Sequence, residues 1–310
     1  MKTYIELFAG LSPLSEVLPW KEWSPALIVE KCNYVNHIRE RLHPFTREEA
    51  RIMEDINEVE ALPRCDLLLA GFPCQPYSTA GKKRGLSDPR ALIRKTLDLI
   101  EGEPPRALIL ENVRGILGPQ GKETLAMIEK TLTRVYGSFQ IVESCASDFG
   151  PMRRPRVFIV AGEGEWVRPE IEAQPYHRGS FKPLGMTDDR LLPCYIGERT
   201  LEALKAHKAK HAAKGNGFGY QAINAESASI PTISARYWKD GSEALLFEDE
   251  YTARRLHPIE LARLFGWPSP ESTPIWDPSQ GGVSFTRLSK ALGNSIHLGQ
   301  LAWVVKGFQA

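Results

Sequence analysis

The stretch Ala70-Gly71-Phe72-Pro73-Cys74-Gln75-Pro76-Tyr77-Ser78 puts a cysteine where a side chain can do chemistry. The apolar run Leu67-Leu68-Leu69 reads as a buried strand, so Cys74 follows a strand's carboxyl end, the edge at which open α/β sheets bind ligands. Prolines on both sides stiffen the backbone around the thiol. A thiolate is a soft, strong nucleophile at neutral pH, but a free cysteine has a pKa of about 8.5, so a nucleophilic site must favour ionisation. Read by itself, the same cysteine is equally a small packing residue in a turn.

Further residues have chemistry-bearing types. Glu111-Asn112-Val113 ends another apolar run, and Arg154 and Arg156 precede Val157-Phe158-Ile159. Gly81-Lys82-Lys83-Arg84-Gly85 sets a basic run between two glycines, the pattern of a loop that closes over phosphates. His207 and His211 have helical spacing, but Lys205, Lys208, Lys210 and Lys214 surround them, so a solvated basic helix is expected and no metal site.

Taken together and in order, these motifs resemble the cytosine-carbon-5 DNA methyltransferase family, of the bacterial or phage type found in restriction–modification systems. The nucleophile motif is Phe72-Pro73-Cys74-Gln75-Pro76-Tyr77-Ser78. Phe8-Ala9-Gly10, with Leu11 and Ser12, matches the loop where the family binds S-adenosylmethionine. Glu30, with Lys31 after it, matches the acidic ribose ligand, and Asp55-Ile56 the pair at the adenine. Gly71 and Pro73 fall beside the same cofactor, and Asn294-Ser295, within Gly293-Asn294-Ser295-Ile296, matches the final motif, which packs back on the first. Arg255-Leu256 through Gly266-Trp267-Pro268 resembles the helix that follows the recognition domain.

The resemblance implies catalysis by Cys74, Glu111, Asn112 and Arg154. Thiolate attack on carbon 6 of cytosine makes carbon 5 able to take a sulfonium methyl, while Glu111 hydrogen-bonds ring nitrogen 3 and the exocyclic amine. Arg154 is the stronger functional candidate of the two arginines; Arg156 is read either as a DNA contact or as a salt bridge holding its strand. Duplex DNA hides the ring faces, so the base must be extruded, and Gln75, Ser78, Lys82, Lys83, Arg84, Arg156 and Arg236 are the DNA-contact candidates. Two departures from the family pattern stand out. The cofactor loop reads Gly10-Leu11-Ser12-Pro13-Leu14-Ser15 where further glycines are usual, and Met152 replaces a glutamine.

The elements that must position these residues follow from periodicity. Short apolar strands at 3–8, 25–30, 66–71, 107–111, 140–144 and 157–161 alternate with helical patterns at 12–19, 33–42, 92–101 and 122–136. That alternation predicts an α/β fold with a largely parallel sheet covered on both faces, a Rossmann-like S-adenosylmethionine-dependent methyltransferase domain. No G-x-G-x-x-G run marks it as a dinucleotide dehydrogenase. Beyond residue 165 prolines break the rhythm, and a smaller, irregular β-rich target-recognition domain is expected over 166–254, with 255–310 completing the catalytic domain of 1–165. Within it a basic helix is predicted at 200–214 and a hairpin from 232–238, through Lys239-Asp240-Gly241, to 244–247. Asn216, Tyr220, Gln221, Arg236 and Tyr237 are its candidates for reading the major groove, the two tyrosines equally as core.

Composition narrows the class without naming a partner. The 310 residues are 42% hydrophobic and 25% charged with a formal net charge of +1, ordinary for a globular chain and neutral on DNA binding. Five cysteines, an odd number, argue against a disulfide framework. No apolar run approaches a membrane span and the first residues lack a signal-peptide pattern, so a cytoplasmic protein is expected, acting as a monomer on double-stranded DNA, with a cognate restriction endonuclease as a separate partner. Two other readings stay open: a branch methylating tRNA, and a catalytically impaired DNA-binding homologue.

Overall fold

A computed structural model describes residues 1–44, 50–73, 92–171, 183–184, 188–216, 219–240, 244–268 and 270–308. Cys74, Gln75, Ser78, Lys82, Lys83 and Arg84 lie outside the described residues. The chain divides into two compact units, one of 1–145, 155–171 and 300–310, the other of 146–154 and 172–299.

The first unit is built on a seven-stranded sheet: β1 (Lys2–Leu7), β2 (Trp23–Val29), β3 (Arg51–Met53), β4 (Leu67–Ala70), β5 (Ala107–Val113), β6 (Gln140–Cys145) and β7 (Pro155–Gly162), in the order β3-β2-β1-β4-β5-β7-β6. The first five strands in that order run parallel, and β7 is antiparallel to both β5 and β6. Every residue of β4 is buried, which is why this strand reads as an uninterrupted apolar run rather than an alternation. Helices α1 (Pro13–Val17), α2 (Asn33–Leu42), α3 (Ile93–Gly102) and α4 (Lys122–Tyr136) connect the strands. In α3, Ile93, Leu97 and Ile100 recur at helical spacing and are buried; in α4, Ile128 and Leu132 do the same. The doubly wound α/β class expected from the sequence is the one observed.

Two details differ from expectation. β5 runs on to Val113, so Glu111 and Asn112 lie inside it, because β7 continues the ladder opposite them at Phe158 and Val157. β3, three residues on the sheet's edge, is too short to show a period.

The second unit holds a three-stranded sheet, β8 (Gln221–Ile223), β9 (Ala244–Phe247) and β10 (Ala253–Arg254), in the order β10-β9-β8, with helices α5 (Glu198–Ala212), α6 (Tyr237–Asp240), α7 (Pro258–Leu264), α8 (Pro278–Gly281) and α9 (Phe285–Asn294). Helix α10 (Leu298–Lys306) is the last element. The predicted hairpin is not formed. Tyr237 starts a short helix, and its hydroxyl, buried, donates to Ala244 O and accepts from Leu256 N, both at 2.8 Å. That tertiary anchor outweighs the local strand pattern. β9 pairs in parallel with β8 and forms its antiparallel hairpin with β10, through a turn in which Asp249 Oδ1 accepts from the backbone of Tyr251 and Thr252.

The compact units also fall differently from the expected boundary at 166–254. Trp166 stays with the first unit, since its indole donates to Val304 O at 2.8 Å. Residues 255–299 pack with the second unit, where the buried Arg254 pairs with the buried Glu260 at 2.8 Å and the Glu260 carboxylate also caps α7 through His257 N. A buried ion pair that lost one partner would leave an uncompensated charge, so these flanks hold together.

Candidate active site

The loop after β1 turns tightly. Phe8, Gly10 and Ser12 have φ values of 57°, 56° and 53°, the left-handed region that only Gly10 enters without steric cost. Ala9 N continues the ladder by donating to Val29 O at 2.9 Å. Glu30, just past β2, bridges the two loops: its Oε2 accepts from Gly10 N and its Oε1 from Cys32 N, each at 2.8 Å. Past β3, Asp55 pairs with Lys31 at 2.7 Å, which holds its carboxyl below the usual range, and Oδ1 caps the following turn through Asn57 N. Ile56 beside it is buried.

Beneath this loop lies a set of buried polar groups that periodicity does not reveal. Glu6 is fully buried in β1; burial pushes its carboxyl up to about 7, partly offset by the Leu14 N–H it accepts at 2.9 Å, by Ser12 and by Arg39. Leu11 O lies 3.2 Å from His43 Nε2, and burial lowers that imidazole to about 4. An acidic residue between the apolar Ile5 and Leu7 of a buried strand is the sequence signal that could have found it.

S-adenosylmethionine fits the residues of this edge. A carboxylate at the end of β2 suits ribose hydroxyls, Asp55 beside Ile56 suits an adenine, and a side-chain carbon built on Gly10 would meet nothing within 4 Å, so the space over the loop is open.

The second group of residues sits one and two strands further along the same carboxyl edge. β4 and β5 pair with Ala70 opposite Leu110, so Gly71 and Glu111 are adjacent: a side-chain carbon at Gly71 would lie 3.6 Å from Glu111 Oε2. Asn112, 2% exposed, donates from Nδ2 to Phe72 O at 3.1 Å and accepts Val113 N at 2.9 Å, tying β5 to the segment Gly71-Phe72-Pro73 that leads to Cys74. Arg156 Nε donates to Glu111 Oε1 at 2.9 Å, with both side chains about nine-tenths buried.

In the second unit Arg154 is 1% exposed, and its guanidinium donates to Ile233 O, Gly293 O and Ser295 O at 2.8–2.9 Å and lies over the Phe265 ring. Within the first unit it is Arg156 that meets Glu111. Asn294 is exposed at the end of α9 and Ser295 is buried next to it, both in the second unit. Arg236 and Gln221 are exposed, whereas Tyr220 and Tyr237 are buried, Tyr220 stacked on Phe247.

Comparison with known proteins adds a family. Residues 2–305 match the family described as C-5 cytosine-specific DNA methylase. The Type II methyltransferase M.DsaV of Dactylococcopsis salina is 34% identical over 295 residues, covering 88% of this chain and 78% of its own length. A DNA-cytosine methyltransferase of Escherichia coli K12 is 28% identical, covering 98% of this chain and 76% of its own. Among solved structures, the Entamoeba histolytica methyltransferase EhMeth superposes with a TM-score of 0.74 at 17% identity, covering 99% of this chain and 97% of its own, a likeness of fold.

Proposed function

We propose, from the premise that the chain belongs to the C-5 cytosine-specific DNA methylase family, a reading of how its residues methylate carbon 5 of cytosine in duplex DNA with S-adenosylmethionine. The observation that carries it is the Glu111–Arg156 pair, whose carboxyl group stands on β5, the strand beside the one that leads to Cys74.

In this reading Cys74, as thiolate, attacks carbon 6 of an extruded cytosine and forms a carbon–sulfur bond. Glu111, protonated or sharing a proton, donates to ring nitrogen 3 and accepts from the exocyclic amine, offsetting the charge that the attack pushes into the ring. Arg156 orients the Glu111 carboxyl group and offers its remaining donors to the base. Asn112 fixes the approach of the nucleophile segment through Phe72 O. S-adenosylmethionine, when bound, would supply an electrophilic sulfonium methyl to carbon 5 and depart as the neutral thioether as its carbon–sulfur bond breaks. Carbon 5 then loses its proton to solvent, and the thiolate is expelled as the ring double bond re-forms.

Glu30, Lys31, Asp55, Ile56, Gly71, Pro73 and the Phe8-Ala9-Gly10-Leu11-Ser12 loop hold the cofactor. Arg154 is read as a positioning residue that fixes the backbone of the Gly293-Asn294-Ser295 motif. Gln75, Ser78, Lys82, Lys83, Arg84 and Arg236 contact the DNA. In this reading the enzyme has a specific short target, in keeping with the Type II methyltransferase names of its relatives, and acts as a monomer in the cytoplasm beside a separate cognate restriction endonuclease. No described helix is long and apolar enough to cross a membrane.

The test is transfer of labelled methyl from S-adenosylmethionine to unmethylated duplex DNA or total tRNA, with Cys74→Ala as control. Label in DNA that vanishes in the control is expected. Label in tRNA alone overturns the substrate, and label that survives the control overturns the nucleophile.

A further inference from the structure

Helix α5 is bound to its unit by one narrow strip. Of its residues, only Leu201 is buried, in a cluster with Ile196, Tyr220, Leu245 and Ala253. The same side is held by Lys208, whose ammonium sits 4.6 Å over the Tyr220 ring, and by Lys205, which donates to Glu250 O at 3.3 Å. His211 Nδ1 is 2.7 Å from Asn216 Oδ1 and its ring lies 4.4 Å from that of His207.

The opposite side faces solvent. At roughly 100° per residue, Arg199, Ala203, Ala206 and Lys210 line up away from Leu201, with Lys214 just beyond the helix end. All five are exposed. The run from 205 to 214, Lys-Ala-His-Lys-Ala-Lys-His-Ala-Ala-Lys, contains no carboxylate. Glu198 and Glu202 are confined to the helix start, where they complement the positive end of its dipole.

The dipole favours a cation in the last turn, but it does not call for lysines along half the helix. Like charges such as Lys210 and Lys214, one turn apart, repel by a few tenths of a kcal/mol. Neither has an ion-pair partner among the described residues. The alanines between the cations leave a flat face that lets a phosphate chain approach closely, and a polyanion converts the mutual repulsion into attraction.

We propose that this face of α5, formed by Arg199, Lys210 and Lys214, holds the phosphate backbone of the substrate duplex, giving affinity and orientation without reading bases. The inference rests on the DNA-methylating reading above.

The test uses the full chain carrying Arg199→Ala, Lys210→Ala and Lys214→Ala together. Alanine is the best helix former, so the helix survives, and circular dichroism checks this. Binding is measured against a short duplex without the target sequence across a series of salt concentrations. The salt slope of log affinity should fall by roughly two to three, near 0.9 for each phosphate no longer neutralised. Affinity should drop about tenfold or more near physiological salt, while cofactor binding and the preference for target over non-target DNA stay as they were. An unchanged slope overturns the assignment of α5. Wild-type methyl transfer, scored in parallel, separates the two failures: transfer to DNA with an unchanged slope sinks only the helix assignment, whereas no transfer to DNA sinks the reading beneath it. A slope that falls for tRNA but not for duplex DNA overturns the choice of partner.

Discussion

Arg156 Nε lies 2.9 Å from Glu111 Oε1, across the antiparallel pairing of β5 and β7. The register explains the meeting. Arg156 is opposite Val113, two residues beyond Glu111, and a two-residue diagonal keeps both side chains on one face of the sheet. Arg154 precedes β7, so the alternation that pairs Arg156 with Glu111 does not reach it.

Replacement of Arg156 should therefore act on chemistry. Arg156→Lys keeps the charge but loses the planar fork, and kcat should fall roughly 10²–10³-fold with little change in the cofactor's Kd. Single-turnover methyl transfer and calorimetric titration of the cofactor check this. A kcat within a few-fold of wild type would remove Arg156 from the site.

Arg154→Met should act on folding instead. It strips charged donors from Ile233 O, Gly293 O and Ser295 O, all buried, and should cost about 3 kcal/mol or more. The urea midpoint of unfolding reads this. A midpoint equal to that of wild type, with activity abolished, would return Arg154 to a direct part in catalysis.

Gly293→Ala should be similarly damaging for a different reason. A side-chain carbon there would lie 2.3 Å from the Ser234 carbonyl carbon and 2.4 Å from Ala235 N, backbone that cannot give way cheaply. A loss of about 3 kcal/mol or more is expected. Gly102→Ala, where a side-chain carbon meets nothing within 4 Å, is the control and should be neutral or slightly stabilising.

Ser12→Gly should stabilise the chain by about 1 kcal/mol, because φ of 53° strains any residue with a side chain. Ser12→Ala keeps the strain and should give no such gain. Thermal unfolding of both compares them; equal melting temperatures would mean that the backbone at Ser12 relaxes or that its hydroxyl matters more than its φ.

Stability should also fall as pH drops below about 6.5. Burial lowers His43 and His257 to about 4 and His297 to about 3, so each is neutral when folded and must take up a proton on unfolding in acid. A depressed pKa gives stability that is present above the unfolded value and lost as pH falls through the folded one, about 1.4 kcal/mol per pH unit per proton. Glu6 works in the other direction. Raised to about 7, its contribution is full below about 4.5 and lost as pH rises through 7, so it offsets one histidine between those values. Urea midpoints measured from pH 7 to 4 should decline, and His297→Gln should flatten the decline. A midpoint that holds steady over that range would contradict the buried neutral histidines.

The sequence by itself determined the sheet and the family. Leu67-Leu68-Leu69, Ile28-Val29 and Leu108-Ile109-Leu110 are buried strands whose apolar runs are local, and the motifs at their carboxyl ends are contiguous, so Gly10, Glu30, Asp55, Glu111 and Asn112 could be named as candidates without a fold. What depended on the meeting of distant residues was decided only by the tertiary structure. Arg154 and Arg156 are alike in type and two residues apart. Their different surroundings arise from the β5–β7 register in one case and from carbonyls 79 and 139 residues away in the other. The Asp240-Gly241 hairpin was a sound local signal, overridden because the Tyr237 hydroxyl meets Leu256 N and Ala244 O. Glu6 reads as one charge in a strand, and only packing makes it a buried group beneath the loop after β1. Short-range pattern fixes which elements form, whereas register, burial and buried hydrogen bonds between remote residues decide what each of two similar side chains meets.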